Sequence, residues 1–152
     1  MLIRTIIFLI INFLALGIGG LFTNKGVSSA WYSNLNKAPW TPPGWVFGAA
    51  WTVIMVCFAF YMAYLWQEKE NKKMLIALFA VQLILNIAWN PAFFFYQNVQ
   101  IGLIVISCLT LLVGYFLINY WPELKFKSLF ILPYFVWLLI ATSLNVYILL
   151  KN

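Results

Sequence analysis

Along the 152 residues, apolar runs alternate with short polar breaks. A helix needs about 20 mostly apolar residues to cross a bilayer. Five segments approach or exceed that length without a charged side chain: roughly residues 5–22, 44–67, 74–96, 101–120 and 128–150. The breaks carry the polarity. Glu68–Lys73 is a charged turn and Gln97–Gln100 a short polar one. Trp121–Lys127 holds two lysines and Pro122, which is expected to stop the fourth helix. Only the first connection, residues 23–43, is long. The pattern predicts an all-α integral membrane bundle: one domain over residues 1–152, five transmembrane helices, and a long first loop as a lid. Reading the first span as a signal peptide, with Arg4 before it and Ala15-Leu16-Gly17 as a cleavage site, is disfavoured because the apolar run continues to Phe22.

Composition agrees. The chain is 65% hydrophobic and 8% charged, against about 25% charged for a soluble domain. Its surface must therefore face lipid. The net charge of +6 does not point to nucleic acid, because the basic residues lie singly or in short runs between the spans. Arg4, Lys69, Lys72, Lys73, Lys125 and Lys127 fall on one side of a five-span topology, and Lys25, Lys37 and Lys151 on the other. The positive-inside rule then places the N-terminus in the cytoplasm and the long loop outside. With no transit-type peptide, a bacterial plasma membrane is expected. No internal repeat is visible, which argues against a repeat-built transporter. Cys57 and Cys108 lie inside apolar runs and read as small hydrophobes.

The stretch NKAPWTPPGWVFGAAW, residues 36–51, is too stiff for a linker and too apolar for an ordinary surface loop. Pro42 and Pro43 are placed to open the second helix. Gly44 and Gly48 form a G-x-x-x-G pair that permits close approach of another backbone. Four of the eight tryptophans, Trp31, Trp40, Trp45 and Trp51, lie in or near this stretch. An interfacial belt accounts for Trp45, Trp66 and Trp121 at span ends. It accounts poorly for Trp51, about two turns inside the bilayer, which reads instead as a pocket wall. In the third span Gln82, Asn86, Trp89, Asn90 and Phe93 share one face. An amide in lipid must find a partner, so that face turns inward, either as interhelical glue or as a site. Pro91 is expected to kink this helix and free a carbonyl near Ile87. In the fifth span Trp137, Ala141 and Asn145 recur at helical spacing, with Thr142 and Ser143 beside them. Inward tryptophans, a few neutral polar groups and a stiff aromatic loop suit a large, flat, mostly apolar ligand.

The residues WYSNLNKAPWTPPGWVFGAAW (31–51), QLILNIAWNPAFF (82–94) and LPYFVWLLIATSLN (132–145) together resemble the translocator protein family, also called the tryptophan-rich sensory protein or peripheral benzodiazepine receptor family. The resemblance covers essentially the whole chain. It implies a five-helix membrane protein, often a homodimer. It implies a receptor that binds porphyrins, protoporphyrin IX and haem among them, and synthetic ligands such as PK11195. By motif, the pocket residues would be Trp51, Asn86, Trp89, Trp137, Ala141 and Leu144, with Tyr32 and Pro42 in the lid. Asn90 departs from the small hydroxyl or proline that many members carry there. It is expected to add an amide to the pocket. Sterol recognition has only a loose counterpart in Leu144–Lys151 and is not expected here.

Three function classes compete: a ligand-binding receptor, an enzyme and a transporter. Acid–base catalysis is disfavoured, since histidine and aspartate are absent and Glu68, Glu70 and Glu123 all lie between spans. The family's link to light-dependent porphyrin breakdown needs no such groups, and Trp51 and Trp137 are the oxidisable candidates for it. Ion-coupled transport is disfavoured because no span holds a carboxylate or histidine. Passive transfer of tetrapyrroles or other lipophilic molecules is the alternative. No cofactor or metal is called for, and without histidine metal-free protoporphyrin should bind comparably to haem. Lys37 and the N–H groups opening the second helix are candidates for the propionates, Lys37 being equally a solvated lysine. Ala15, Gly17, Gly19 and Gly20 suit either a dimer interface or packing within the chain.

Overall fold

The computed structural model describes residues 1–152. It contains α1 (Leu2–Val27), α2 (Ala30–Asn34), α3 (Gly44–Glu68), α4 (Lys72–Asn90), α5 (Val99–Asn119), α6 (Trp121–Leu124) and α7 (Leu132–Lys151). Five stretches are long and apolar enough to cross a membrane: Leu2–Val27, Gly44–Glu68, Lys72–Phe95, Val99–Asn119 and Trp121–Lys151. The protein is a multi-pass membrane bundle with α1 packed between α3 and α4, and α5 between α4 and α7.

Local sequence sets the element ends. Ser29 accepts the Tyr32 N–H at 3.2 Å and caps α2. Asn71 caps α4 and Asn98 caps α5 in the same way. Pro43 is the N-cap of α3, extended at ψ 150°. At the other end of α3, the Lys72 ammonium donates to the carbonyls of Trp66 and Lys69, where a cation suits the negative end of the helix dipole. Ion pairs Lys69–Glu123 and Lys127–Glu68 tie together the connections at this charged end.

The first connection is more ordered than a loop. Helix α1 runs on to Val27, five residues past the expected end, and α2 follows at once. The Ala38 carbonyl then accepts the Thr41 N–H at 2.9 Å, closing a turn around Pro39 and Trp40. The prolines shape two helix ends. α5 ends at Asn119 with Pro122 just beyond its cap, as expected, and Pro122 also opens the short α6. A 3-10 segment, Lys125–Ile131, leads from there into α7, which starts at Leu132 with Pro133 in its first turn. Pro91 opens a π-helical turn, Pro91–Phe95, in which the Tyr96 N–H reaches the Pro91 carbonyl at 2.9 Å. The wider turn absorbs the proline without ending the helix.

The charged half of the bundle is filled. Phe58 is fully buried and contacts Tyr61, Phe79, Phe116 and Tyr134 at ring separations of 5.3–6.2 Å. Tyr61 donates its hydroxyl to the Phe116 carbonyl at 2.8 Å. Asn12 reaches from α1 to the Met55 carbonyl at 3.1 Å, and Gln82 donates to the Tyr134 hydroxyl at 2.7 Å. The carbonyl ends of both amides stay unpaired. Gln82 is thus interhelical glue.

Two small residues of α1, Gly19 and Gly26, serve the chain's own packing. A Cβ on Gly19 would sit 2.6 Å from the Asn90 amide, and one on Gly26 2.2 Å from the Phe94 ring. Gly17 meets nothing within 4 Å. Gly26→Leu should therefore destabilise the protein by about 1–3 kcal/mol, whereas Gly17→Leu should leave stability within about 0.5 kcal/mol. Thermal unfolding in detergent, read by tryptophan emission, checks the pair.

Candidate functional site

Above the aromatic layer the helices leave a cavity of about 630 Å³, lined by α1, α3, α4, α5, α7 and the first connection. The volume lies in the usual range for a small-molecule site, about 300–1,000 Å³. All nine of Tyr32, Pro42, Trp51, Asn86, Trp89, Asn90, Trp137, Ala141 and Leu144 border it.

Each wall has a local cause. Trp51 lies two turns into α3 with its ring against Tyr134 at 5.9 Å, so the buried tyrosine fixes the indole's edge. Trp137, 7% exposed, meets Phe47 edge-on at 5.3 Å. Trp89 stacks on Phe93 at 5.3 Å with an interplanar angle of 16°. Its indole N–H donates to Asn145 Oδ1 at 3.3 Å, while Asn145 Nδ2 donates to the Val99 carbonyl at 3.1 Å. Asn145 thereby holds Trp89 upright and joins α7 to α4 and α5. Ala141, one turn beyond Trp137, leaves room between the rings.

The polar groups divide into two kinds. Asn90 is bonded within the protein. Its Oδ1 accepts from Thr23 at 2.6 Å and its Nδ2 donates to the Asn86 carbonyl at 3.0 Å. The Oδ1 bond ties the amide to the α1–α4 contact at the cavity's edge, and the same contact demands glycine at position 19. Asn86 is the opposite case. It is 7% exposed and borders the cavity, and the hydrogen bond at this residue uses its main-chain carbonyl, not its side chain. Its side-chain amide makes no hydrogen bond within the protein and is open to the cavity.

At the mouth, Tyr32 packs on Phe94 at 5.6 Å. Burial pushes its phenol above the ordinary tyrosine range, so it stays a neutral donor across physiological pH. The Lys37 ammonium lies 4.6 Å from the centre of the Tyr32 ring and also borders the cavity. Its contacts to the Ser33 and Leu35 carbonyls are long, at 3.4 and 3.5 Å.

Sequence reasoning missed the contribution of α1. Ala15, Leu16, Gly19, Gly20, Thr23 and Asn24 all border the cavity. The stripe of small residues was visible, but periodicity alone does not say which helix lies opposite. The Gly44–Gly48 pair is a correction. No backbone approaches either glycine, and both border the cavity instead. Thr142 and Ser143 lie off the cavity: Thr142 pairs with Thr110 at 3.1 Å, and Ser143 accepts from the Trp40 indole at 3.2 Å. Cys108 is exposed rather than buried.

The model for the TspO/MBR family matches residues 7–150. The chain belongs to the TspO/MBR family. It is 35% identical over 144 residues to the tryptophan-rich protein TspO of Archaeoglobus fulgidus, covering 94% of both chains. It is 35% identical over 123 residues to the tryptophan-rich sensory protein of Cereibacter sphaeroides, covering 76% of this chain and 72% of that one. It is 26% identical over 132 residues to the human translocator protein, covering 84% and 78%. In this member the Trp89–Asn145–Val99 chain of hydrogen bonds is the joint between α4, α5 and α7. Asn145→Leu should lower stability by about 1–2 kcal/mol and loosen Trp89. Detergent unfolding, with acrylamide quenching of tryptophan in parallel, checks both effects.

Proposed function

We propose that the protein is a membrane receptor whose cavity binds porphyrins, protoporphyrin IX among them, and related flat hydrophobic ligands such as PK11195. The observation that carries this reading is the convergence of Trp51, Trp89 and Trp137, from three different spans, on one cavity with the unpaired Asn86 amide. Indole faces suit a flat conjugated ring. The propionates would lie at the mouth, toward Lys37 and the neutral Tyr32 phenol. Transfer through the bundle is the weaker reading, because the aromatic layer around Phe58 and Tyr134 fills the half below the cavity. Photo-oxidative breakdown would fall to Trp51 and Trp137 as the oxidisable walls beside a light-absorbing ligand.

The setting follows from the same reasoning. We place the N-terminus in the cytoplasm of a bacterial-type plasma membrane, with the lid outside, on the charge asymmetry of the connections. We also infer a homodimer. Since Ala15 and Gly19 are buried within the chain, its interface would use other residues.

Titration of the detergent-solubilised protein with protoporphyrin IX should quench tryptophan emission saturably. Trp51→Ala and Trp137→Ala should each weaken binding about tenfold or more, a cost of about 1.4 kcal/mol or above. Lys37→Ala should weaken protoporphyrin but not neutral PK11195. Haem should bind within a few-fold of the metal-free ring. Undiminished affinity in both tryptophan variants would remove the proposed site.

A further inference from the structure

The cavity has five helical edges and a lid, and most of these are closed by a specific contact. The α1–α4 edge is shut where Gly19 meets Asn90 and Gly26 meets Phe94. Asn145 joins α7 to α4 and α5. The α3–α7 edge is closed by the ring pairs Phe47–Trp137 and Trp51–Tyr134. The lid is latched to α7. The Asn36 N–H donates to Asn152 Oδ1 at 2.9 Å and Asn152 Nδ2 donates back to the Asn36 carbonyl at 3.3 Å. Trp40 adds its indole bond to Ser143 and an edge contact with Tyr147 at 5.3 Å.

The α1–α3 edge differs. Lower down the two helices touch, with Asn12 bonded to the Met55 carbonyl. They run antiparallel, so climbing α1 from Asn12 to Gly20 corresponds to going back along α3 from Met55 to Gly48, about 12 Å nearer the lid. There the edge is bare. A Cβ on Gly20, Gly44 or Gly48 would meet nothing within 4 Å. Gly44, Gly48 and Thr52 share one face of α3, are exposed, and also border the cavity. The only hydroxyl among them, on Thr52, is turned back to the Gly48 carbonyl at 2.8 Å, which leaves the slot without an unpaired polar side chain toward lipid. Behind it stands the unpaired Asn86 amide, 7% exposed.

We infer that ligand enters and leaves the cavity sideways, from the bilayer, through the glycine-lined slot between Gly20 of α1 and Gly48 of α3, while the latched lid closes the aqueous route. The inference rests on the receptor reading above and adds the phase from which that site is supplied.

Stopped-flow quenching of tryptophan by protoporphyrin IX, with the full chain in lipid nanodiscs, tests it. Gly20→Leu/Gly48→Leu should slow association and dissociation together, each about tenfold, because a plug raises one barrier crossed in both directions. The smaller single plug Gly48→Val should give an intermediate slowing and guards against a double variant that misfolds. Asn36→Ala/Asn152→Ala, which releases the latch, should leave both rates within about twofold. If unlatching speeds exchange several-fold while the plugs leave it unchanged, the ligand passes the lid and the slot is no portal. A plugged variant whose dissociation alone changes points to an altered site and equally overturns the portal. Wild-type protein without saturable quenching would instead refute the porphyrin reading, and the portal with it.

Discussion

A polar side chain at membrane depth is costly without a partner, so in this bundle it turns to a neighbouring helix. That constraint orders the structure. Asn12 ties α1 to α3, Gln82 ties α4 to α7, Thr23 ties α1 to Asn90 of α4, and Asn145 ties α7 to α4 and α5. Lipid tails are as apolar as leucine, so burial of apolar surface does little to bring helices together in a membrane. Direct bonds and close packing at glycine do that instead, as at Gly19 and Gly26. The aromatic layer around Phe58 fills the charged half. The cavity is the space left above that layer.

Against this background Asn86 is informative. It belongs to the same helical face as Gln82 and Asn90, yet the side chains of those two are bonded across helix contacts and that of Asn86 is not. The difference is one of level. Gln82 lies within the packed layer, beside Tyr134, and Asn90 lies where α1 closes on α4. Asn86 falls between them, where the cavity begins. A bundle evolved only for stability would gain from an apolar residue there. Retaining an amide makes sense if something other than the protein answers it.

Much of this was legible in the chain. The charge-free apolar runs mark five spans because lipid excludes charge, and the inward faces of α4 and α7 follow from helical spacing. Trp51 stood out because it lies too deep for an interfacial belt. What stayed illegible depends on which helices meet. Nothing in the sequence says that Gly19 faces Asn90, so the amide read as a ligand group when it is also a helix bond. Gly44 and Gly48 carry a packing motif, but packing needs a second helix against them, and a Cβ at either position would meet nothing within 4 Å. Pro91 marks a disturbance of the repeat, but spacing alone does not say that a π-helical turn there lets the span continue.

The lid and the slot are two consequences of how helix ends are treated at the membrane surface. The lid is rigid because prolines and aromatic contacts restrict residues 38–43, and it is latched because exposed amides at Asn36 and Asn152 pair with each other. Such exposed bonds are individually weak in water, but a stiff segment held at several points opens only when they release together. The slot, by contrast, needs no bond to break, since glycine leaves no side chain to move. A flat apolar ligand already concentrated in the bilayer therefore meets the lower barrier at the side of the bundle. Its apparent affinity, measured per volume of water, then contains the partition into lipid as well as the contacts with Trp51, Trp89 and Trp137. A polar or highly charged ligand would gain neither, so on the proposed portal the bilayer itself would act as the first selectivity filter of the site.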